Sequence, residues 1–367
     1  MAQVILYEPL NMNDFPFAVG ETSYPIVTST HIRELADNSV ANYYGTGLTV
    51  SGVGNVTGGI LTGANYSEGG VLQFSVTGLN RNAALIWDYI VAEDTSGLLG
   101  YALSGADIIT GSGGDDYIYS YGGNDVVSGG DGNDVVVGGL GVDRLNGGGR
   151  HDTVFGGSGN DIVTGGDGND GLFGDLGNDI LKGGADNDFL GGGAGADILK
   201  GGTGDDILAG EGTADQMKGQ AGNDILGGGG GKDRLEGNAG DDILNGEKGN
   251  DILIGGDGVD WFWFEETLGA KNVDVIEDFT GAGSASEDSI RLDADLFTQL
   301  PVGALEAGNF LSGSAIAAAE ADDFILYDSA TGALYYDADG NGPGEAIQFA
   351  TLTGSPDALD HTDFEVV

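Results

Sequence analysis

From residue 102 to residue 263 the sequence falls into consecutive nonapeptides, 18 in all, with no insertion or deletion. A period held over that length dictates architecture before any single strand is considered. Each repeat becomes one unit that buries its apolar face only against its neighbours. GGDGNDVVV (129–137), GGSGNDIVT (156–164) and GGTGDDILA (201–209) show the pattern most plainly. The sixth position is Asp in every unit: Asp107, Asp116, Asp125, Asp134, Asp143, Asp152, Asp161, Asp170, Asp179, Asp188, Asp197, Asp206, Asp215, Asp224, Asp233, Asp242, Asp251 and Asp260. The eighth is apolar in every unit, from Ile109 through Leu199 to Phe262. Gly holds the first position in 16 units and the fourth in 15.

Each position has a physical reading. Gly at the first and fourth places suits a turn that needs positive φ or close backbone approach. The last three residues are long enough for a very short strand whose central side chain points inward. Two nonapeptides then make one coil with a strand on each side, and unit n stacks on unit n+2. With coils ~4.8 Å apart, Asp134, Asp152 and Asp170 line up along one edge, and Asp125, Asp143 and Asp161 along the other. Like charges at ~5 Å cost on the order of 1 to 3 kcal/mol per neighbour, so such columns require a cation. Oxygen-only donors in irregular turns select Ca²⁺ over Mg²⁺, which wants a rigid octahedron, and over Zn²⁺, which wants His or Cys.

The whole-chain charge agrees. Among 367 residues, 59 are acidic and 12 are Lys or Arg, giving −47, with 73 Gly, 6 Pro and no Cys. That charge disfavours nucleic acid and anionic membranes. Few prolines exclude collagen, and the absence of Cys excludes disulfides and thiolate metal sites. No apolar run approaches ~18 residues, so no membrane span is expected. The N-terminal residues lack a basic region ahead of an apolar core, so no secretory signal peptide is expected, and by itself this reads as cytoplasmic.

The repeat G-G-x-G-x-D-x-U-x resembles the calcium-binding nonapeptide of the RTX (repeats-in-toxin, haemolysin-type) proteins. The resemblance implies an all-β fold, a parallel β-roll with Ca²⁺ between the turns of units n and n+2, held by the Asp carboxylates and turn carbonyls. Stacking of n on n+2 gives about 16 ions. The resemblance further implies export by a type I secretion machinery from a Gram-negative bacterium, through an uncleaved C-terminal signal. That reverses the cytoplasmic reading in favour of a secreted, extracellular or cell-surface protein. Unit 210–218, GEGTADQMK, is the poorest interior repeat, and weaker or absent ions are expected there and at the first unit.

Three regions follow: a β-rich N-terminal module (1–101), the roll (102–263) and a mainly β C-terminal capping and secretion region (264–367). In the first, LTVSGVGNVTGGILTG and GGVLQFSVTGL read as strands with Gly turns, and RNAALIWDYIV as a helix or strand. In the last, the stretch WFWFEETLGAKNVDVIEDF to SIRLDADLF is similar to the caps that follow RTX repeats in secreted proteases and lipases, with Asp274, Asp278 and Asp288 as added ligands for the last ions. A short helix is expected around AIAAAEADD (315–323), then three antiparallel strands, FILYD, ALYYD and AIQFATL. Between two of them, Asp337, Asp339 and Asn341 match the first half of an EF-hand loop. The strand flanks and Gln348 at the twelfth place argue against an EF-hand, leaving a candidate Ca²⁺ turn. The segment HTDFEVV resembles a type I export signal.

Unit parity predicts an apolar outer face, with Tyr117, Tyr119, Val135, Val137, Phe155, Phe173, Phe189, Ile207, Ile225, Ile243, Trp261 and Trp263 on it. The alternate units place Thr110, Ser128, Asn146, Thr164, Lys182, Lys200, Lys218 and Glu236 at the ninth position, a hydrated sheet. An apolar stripe of that length marks a contact surface, for a terminal module or for self-association through a second copy. No enzyme is expected. His31, His151 and His361 are scattered, no HExxH or GxSxG exists, and the paired carboxylates belong to the repeat. Beyond calcium and the secretion machinery, the expected partner is a glycan or cell surface. A polysaccharide-binding role similar to that of alginate-epimerase repeat modules is the alternative to a surface, matrix or host-interaction role. A pore-forming toxin would need an apolar segment upstream of the repeats.

Overall fold

The computed structural model describes residues 105–367 apart from 112, 282–286, 315, 319 and 355–358, and before residue 105 only the backbone of strand segments. By contacts the chain divides into two units, Met1–Gly171 and Leu172–Val367. The division falls inside the repeats.

In the first unit the N-terminal strands form an antiparallel meander. Gln3–Tyr7 pairs with Thr30–Ala36, then come Ser39–Val50, Val56–Glu68 and Val71–Asn82. The last of these pairs antiparallel with the first repeat strand, Ile108–Thr110, with Val76 opposite Ile109. An edge that would otherwise present unpaired amides and carbonyls is thereby covered. The repeats continue as two parallel ladders. Ile108–Thr110, Val126–Asp131, Arg144–Gly149 and Ile162–Asp167 form one. Tyr117–Tyr119, Val135–Leu140 and Thr153–Ser158 form the other. Every pairing joins residues 18 apart, as stacking of n on n+2 requires. RNAALIWDYIV lies mostly outside the described residues.

The second unit repeats the arrangement. One ladder runs Ile180–Ala185, Ile198–Thr203, Gln216–Ala221, Arg234–Ala239 and Ile252–Asp257. It continues through Asp274–Ile276 to Ile347–Leu352. The other runs from Phe189–Gly193 through Ile207–Glu211, Ile225–Gly227 and Ile243–Asn245 to Trp261–Phe264, then Ser289–Leu292 and Phe364–Val366. The C-terminal region therefore extends both ladders past the last nonapeptide. It adds an aromatic core of its own: Phe297 packs edge-on against Tyr336 at 4.9 Å and Phe349 at 5.4 Å. The fold is an all-β parallel roll.

The core of each unit is the eighth-position column, every member at most 2% exposed, from Ile109 to Val163 in the first and Leu172 to Phe262 in the second. The three antiparallel C-terminal strands form as expected, over Ile325–Asp328, Ala333–Tyr336 and Ile347–Leu352. The helix expected at 315–323 is absent among the described residues, which show a turn at 321–322. Nine residues are marginal for a helix, and Asp323 accepts the Glu320 amide at 2.7 Å, the local side-chain bonding that competes with helix.

The hydrated sheet is less polar than its ninth positions suggested. Its seventh positions include Ile108, Val126, Ile162, Ile180, Ile198 and Ile252, with Ile108 50% and Val126 44% exposed. β-branched residues occupy both outer faces because both are flat sheet surfaces.

Candidate metal centre

The sixth-position carboxylates form the two columns within each unit. In the first, Asp107, Asp125, Asp143 and Asp161 stack along one edge, each backbone amide donating to Oδ1 of the next Asp, at 2.8–2.9 Å. Asp116, Asp134, Asp152 and Asp170 do the same on the other, at 2.7–2.8 Å. In the second unit one column runs Asp179, Asp197, Asp215, Asp233, Asp251 and on to Asp274. The other runs Asp188, Asp206, Asp224, Asp242, Asp260 and on to Asp288. All these residues are buried; Asp278, half-buried, stands outside the columns and accepts the amides of Gly255 and Gly256.

In ten of these residues one carboxylate oxygen is committed to the backbone and the other is not. Oδ2 of Asp134, Asp143, Asp152, Asp197, Asp206, Asp215, Asp224, Asp233, Asp242 and Asp260 is buried with no hydrogen-bond partner. A buried anionic oxygen without a donor is costly, and a whole row of them calls for a cation. Most such oxygens also share a close cradle with a carbonyl of the next coil. A Cβ on the first-position Gly138 would stand 2.6 Å from Asp143 Oδ2 and 2.7 Å from the carbonyl oxygen of Gly156, one coil on. The same cradle recurs at Gly192, against Asp197 Oδ2 (2.7 Å) and Gly210 O (3.0 Å), and at Gly210, against Asp215 Oδ2 (2.6 Å) and Gly228 O (2.7 Å). Unit 210–218, degenerate in sequence, therefore keeps the cradle of its neighbours.

These donors fit calcium. They are all oxygen, anionic carboxylate oxygens beside backbone carbonyls in irregular turns. Among the described residues no three His, Asp or Glu side chains converge on one point, so carbonyls must supply much of the shell. A Cβ at the first position would crowd the oxygens of that shell, so glycine is kept there. At the fourth position, Gly132 adopts φ 140° with the carbonyl of Gly114 2.7 Å from where a Cβ would stand, so both conformation and space demand glycine there.

Burial without a counter-charge raises the carboxyl pKa values. Desolvation is the largest cause throughout, opposed by the amide bond to the preceding coil and reinforced by neighbouring Asp charges. It pushes Asp134, Asp215, Asp233, Asp242 and Asp260 up to about 7 and Asp143, Asp170, Asp206 and Asp224 to about 6. Asp274, buried in the cap beside Asp251, rises to about 8.

Of the C-terminal candidates, Asp274 and Asp288 join the columns. Asp288 accepts the Asp260 amide at 3.0 Å and, through Oδ2, both the amide and the hydroxyl of Thr280. Asp337, Asp339 and Asn341 lie in the turn between Ala333–Tyr336 and Ile347–Leu352, so the flanks are strands, as expected. Asp337 is buried and accepts the Asp339 amide at 3.2 Å, while Asp339 and Asn341 are exposed and Asp339 accepts the Gly344 amide. The turn closes on itself.

A second ladder escaped the sequence reading. Fifth-position side chains accept the fifth-position amide of the next coil: Asp115 from Asn133, Asn133 from His151, His151 Nδ1 from Asn169, and in the second unit Asn187 from Asp205, Asp205 from Asn223 and Asn223 from Asp241. The signal was visible as Asn or Asp before most of the sixth-position Asp residues. Each carries the acceptor oxygen that such a ladder needs.

Residues 101–136, 137–172, 164–199, 191–226 and 227–262 match the family described as RTX calcium-binding nonapeptide repeat (4 copies). No curated protein matches the chain.

Proposed function

Residues 101–262 of this chain are RTX calcium-binding nonapeptide repeats, and from that premise we propose that it is a secreted, non-enzymatic protein whose roll folds on meeting extracellular calcium. The observation that carries the proposal is the row of buried Asp Oδ2 atoms without donors. Calcium bound in the cradles supplies the positive charge that those oxygens lack. Where calcium is scarce the columns repel and the desolvated carboxylates disfavour compaction, which suits a chain to be threaded through a type I machinery. Where calcium is abundant, binding free energy becomes folding free energy. The candidate export segment fits this order of events, because Phe364 and Val366 are each 1% exposed in the folded sheet and are legible only before it forms. The role outside the cell is read as surface, matrix or host interaction, and an ion count of about 16 follows from the stacking.

Circular dichroism against calcium concentration, with bound ions counted in the same samples, tests the proposal. Strand content should rise cooperatively with calcium and fall in chelator. A chain already fully β-structured in chelator would defeat it.

Calcium-dependent binding of an acidic polysaccharide is a second reading, favoured by one observation. Lys182, Lys200 and Lys218 stand in register on consecutive strands of the second unit, in a chain with only 12 basic residues. Lys218 bridges to Glu236, and no ion pair is formed by Lys182 or Lys200 among the described residues. Binding of a uronate polymer that vanishes in chelator and in Lys182→Glu/Lys200→Glu would support it, and binding unchanged by both would remove it.

A further inference from the structure

We infer that Ser120 closes one cradle of the roll with its own side chain, so that the column containing Asp125 takes no cation at that level. The inference rests on the calcium reading above and concerns a departure within it.

Ser120 stands at the first position of its nonapeptide, where Gly138, Gly192 and Gly210 keep a Cβ out of the cradle formed by a carboxylate Oδ2 and the next coil's first-position carbonyl. Its side chain is fully buried, at 0% exposed. Its hydroxyl donates to the carbonyl oxygen of Gly138, 2.8 Å away. Gly138 is the first-position residue one coil on, so this carbonyl is the counterpart of the Gly156 carbonyl that faces the cradle of Gly138. A neutral O–H here satisfies an oxygen that elsewhere faces the space for an ion.

The turn keeps its shape by direct bonds. The Ser120 amide donates to Val137 O at 2.9 Å, Leu140 N to Tyr121 O at 2.8 Å and Gly123 N to Leu140 O at 2.8 Å. Tyr121 adopts φ 67°, keeping a left-handed residue at the second position, and packs edge-on against Tyr119 at 4.1 Å. This coil is thus held by hydrogen bonds and an aromatic pair. It also lies near the strand pairing of Val71–Asn82 with Ile108–Thr110. A cation-independent coil there gives calcium-driven stacking a start that is formed before ions bind.

The test counts ions on the full chain by native mass spectrometry at saturating calcium, with calcium as the only probe. Ser120→Gly should bind one ion more than the wild type, and Ser120→Ala, which keeps the Cβ in the cradle, should bind the same number as the wild type. An unchanged count in Ser120→Gly overturns the inference. So does loss of an ion in Ser120→Ala, which would make the hydroxyl a ligand. A wild-type chain that binds no calcium at all would overturn the calcium reading and this inference with it, whereas many ions in both wild type and Ser120→Gly, in equal number, would overturn this inference alone.

Discussion

The backbone amide of Asp134 donates to Oδ1 of Asp152, 2.7 Å away and one coil further along. This bond divides the work of the Asp152 carboxylate. Oδ1 holds the register of the stack, and Oδ2 is left facing the cradle. The same residue thereby sets strand spacing and ion affinity, so neither can be changed alone by substituting it.

The first prediction concerns acid. The ordinary carboxyl value of 3.8 rises to about 7 for Asp134 and Asp215 and to about 6 for Asp143 and Asp206 in the ion-free fold. A raised folded value means that the folded chain binds more protons than the unfolded one between the two values. The stabilisation is complete below 3.8 and is lost as pH rises through about 6 to 7. In chelator, strand content should therefore be higher at pH ~5 than at pH ~8. With calcium the order reverses, because protons compete for the same oxygens and affinity should fall below pH ~6. Circular dichroism titrations with and without chelator check both limbs, and a pH-independent chelated chain would contradict the assignment.

The second concerns cradle space. A Cβ on Gly228 would stand 2.8 Å from Asp233 Oδ2 and 2.7 Å from Gly246 O, whereas on Gly149 the nearest atom is 3.7 Å away. Gly228→Ala should bind one ion fewer and lose about 1–3 kcal/mol, as overpacked sites do. Gly149→Ala should keep the wild-type ion count and midpoint. Equal behaviour of the two in calcium titrations would reject the cradle.

The third concerns the core column. Leu244 is completely buried between coils, and Leu140 is 65% exposed. Leu244→Ala should cost about 2–5 kcal/mol in the calcium-loaded state. Leu140→Ala should stay within about 0.5 kcal/mol. Denaturant unfolding of both variants decides it.

The fourth concerns the cap. Asp288 gathers donors from Asp260 and Thr280, tying Ser289–Leu292 onto Trp261–Phe264. Asp288→Ala leaves the Asp260 amide and both Thr280 donors without this acceptor and should cost about 1–3 kcal/mol. Amide exchange should speed up in these two strands while Val135–Leu140 in the other unit keeps its protection. Uniform loss of protection in both would show that Asp288 is not a local clasp.

Much of this molecule was legible in its sequence. The nine-residue period, Asp at every sixth place and an apolar residue at every eighth determined coil length, column and core, because a fixed period leaves one way to bury Val136, Leu199 and Leu244 together. Oxygen donors alone pointed to calcium. Tertiary structure decided what depends on which atoms meet across coils. Only there does Oδ1 of Asp152 prove committed to an amide and Oδ2 prove free, a partition that residue identity does not encode. The fifth-position ladder through Asn133 and His151 likewise needs the register of one backbone on the next. Ser120 and unit 210–218 make the same point in opposite directions: Thr213 breaks the pattern and leaves the cradle at Gly210 intact, while one serine fills its own. Pattern measures departure from a consensus, but whether a departure matters depends on which atoms come between a carboxylate and a carbonyl, and that is set by stacking.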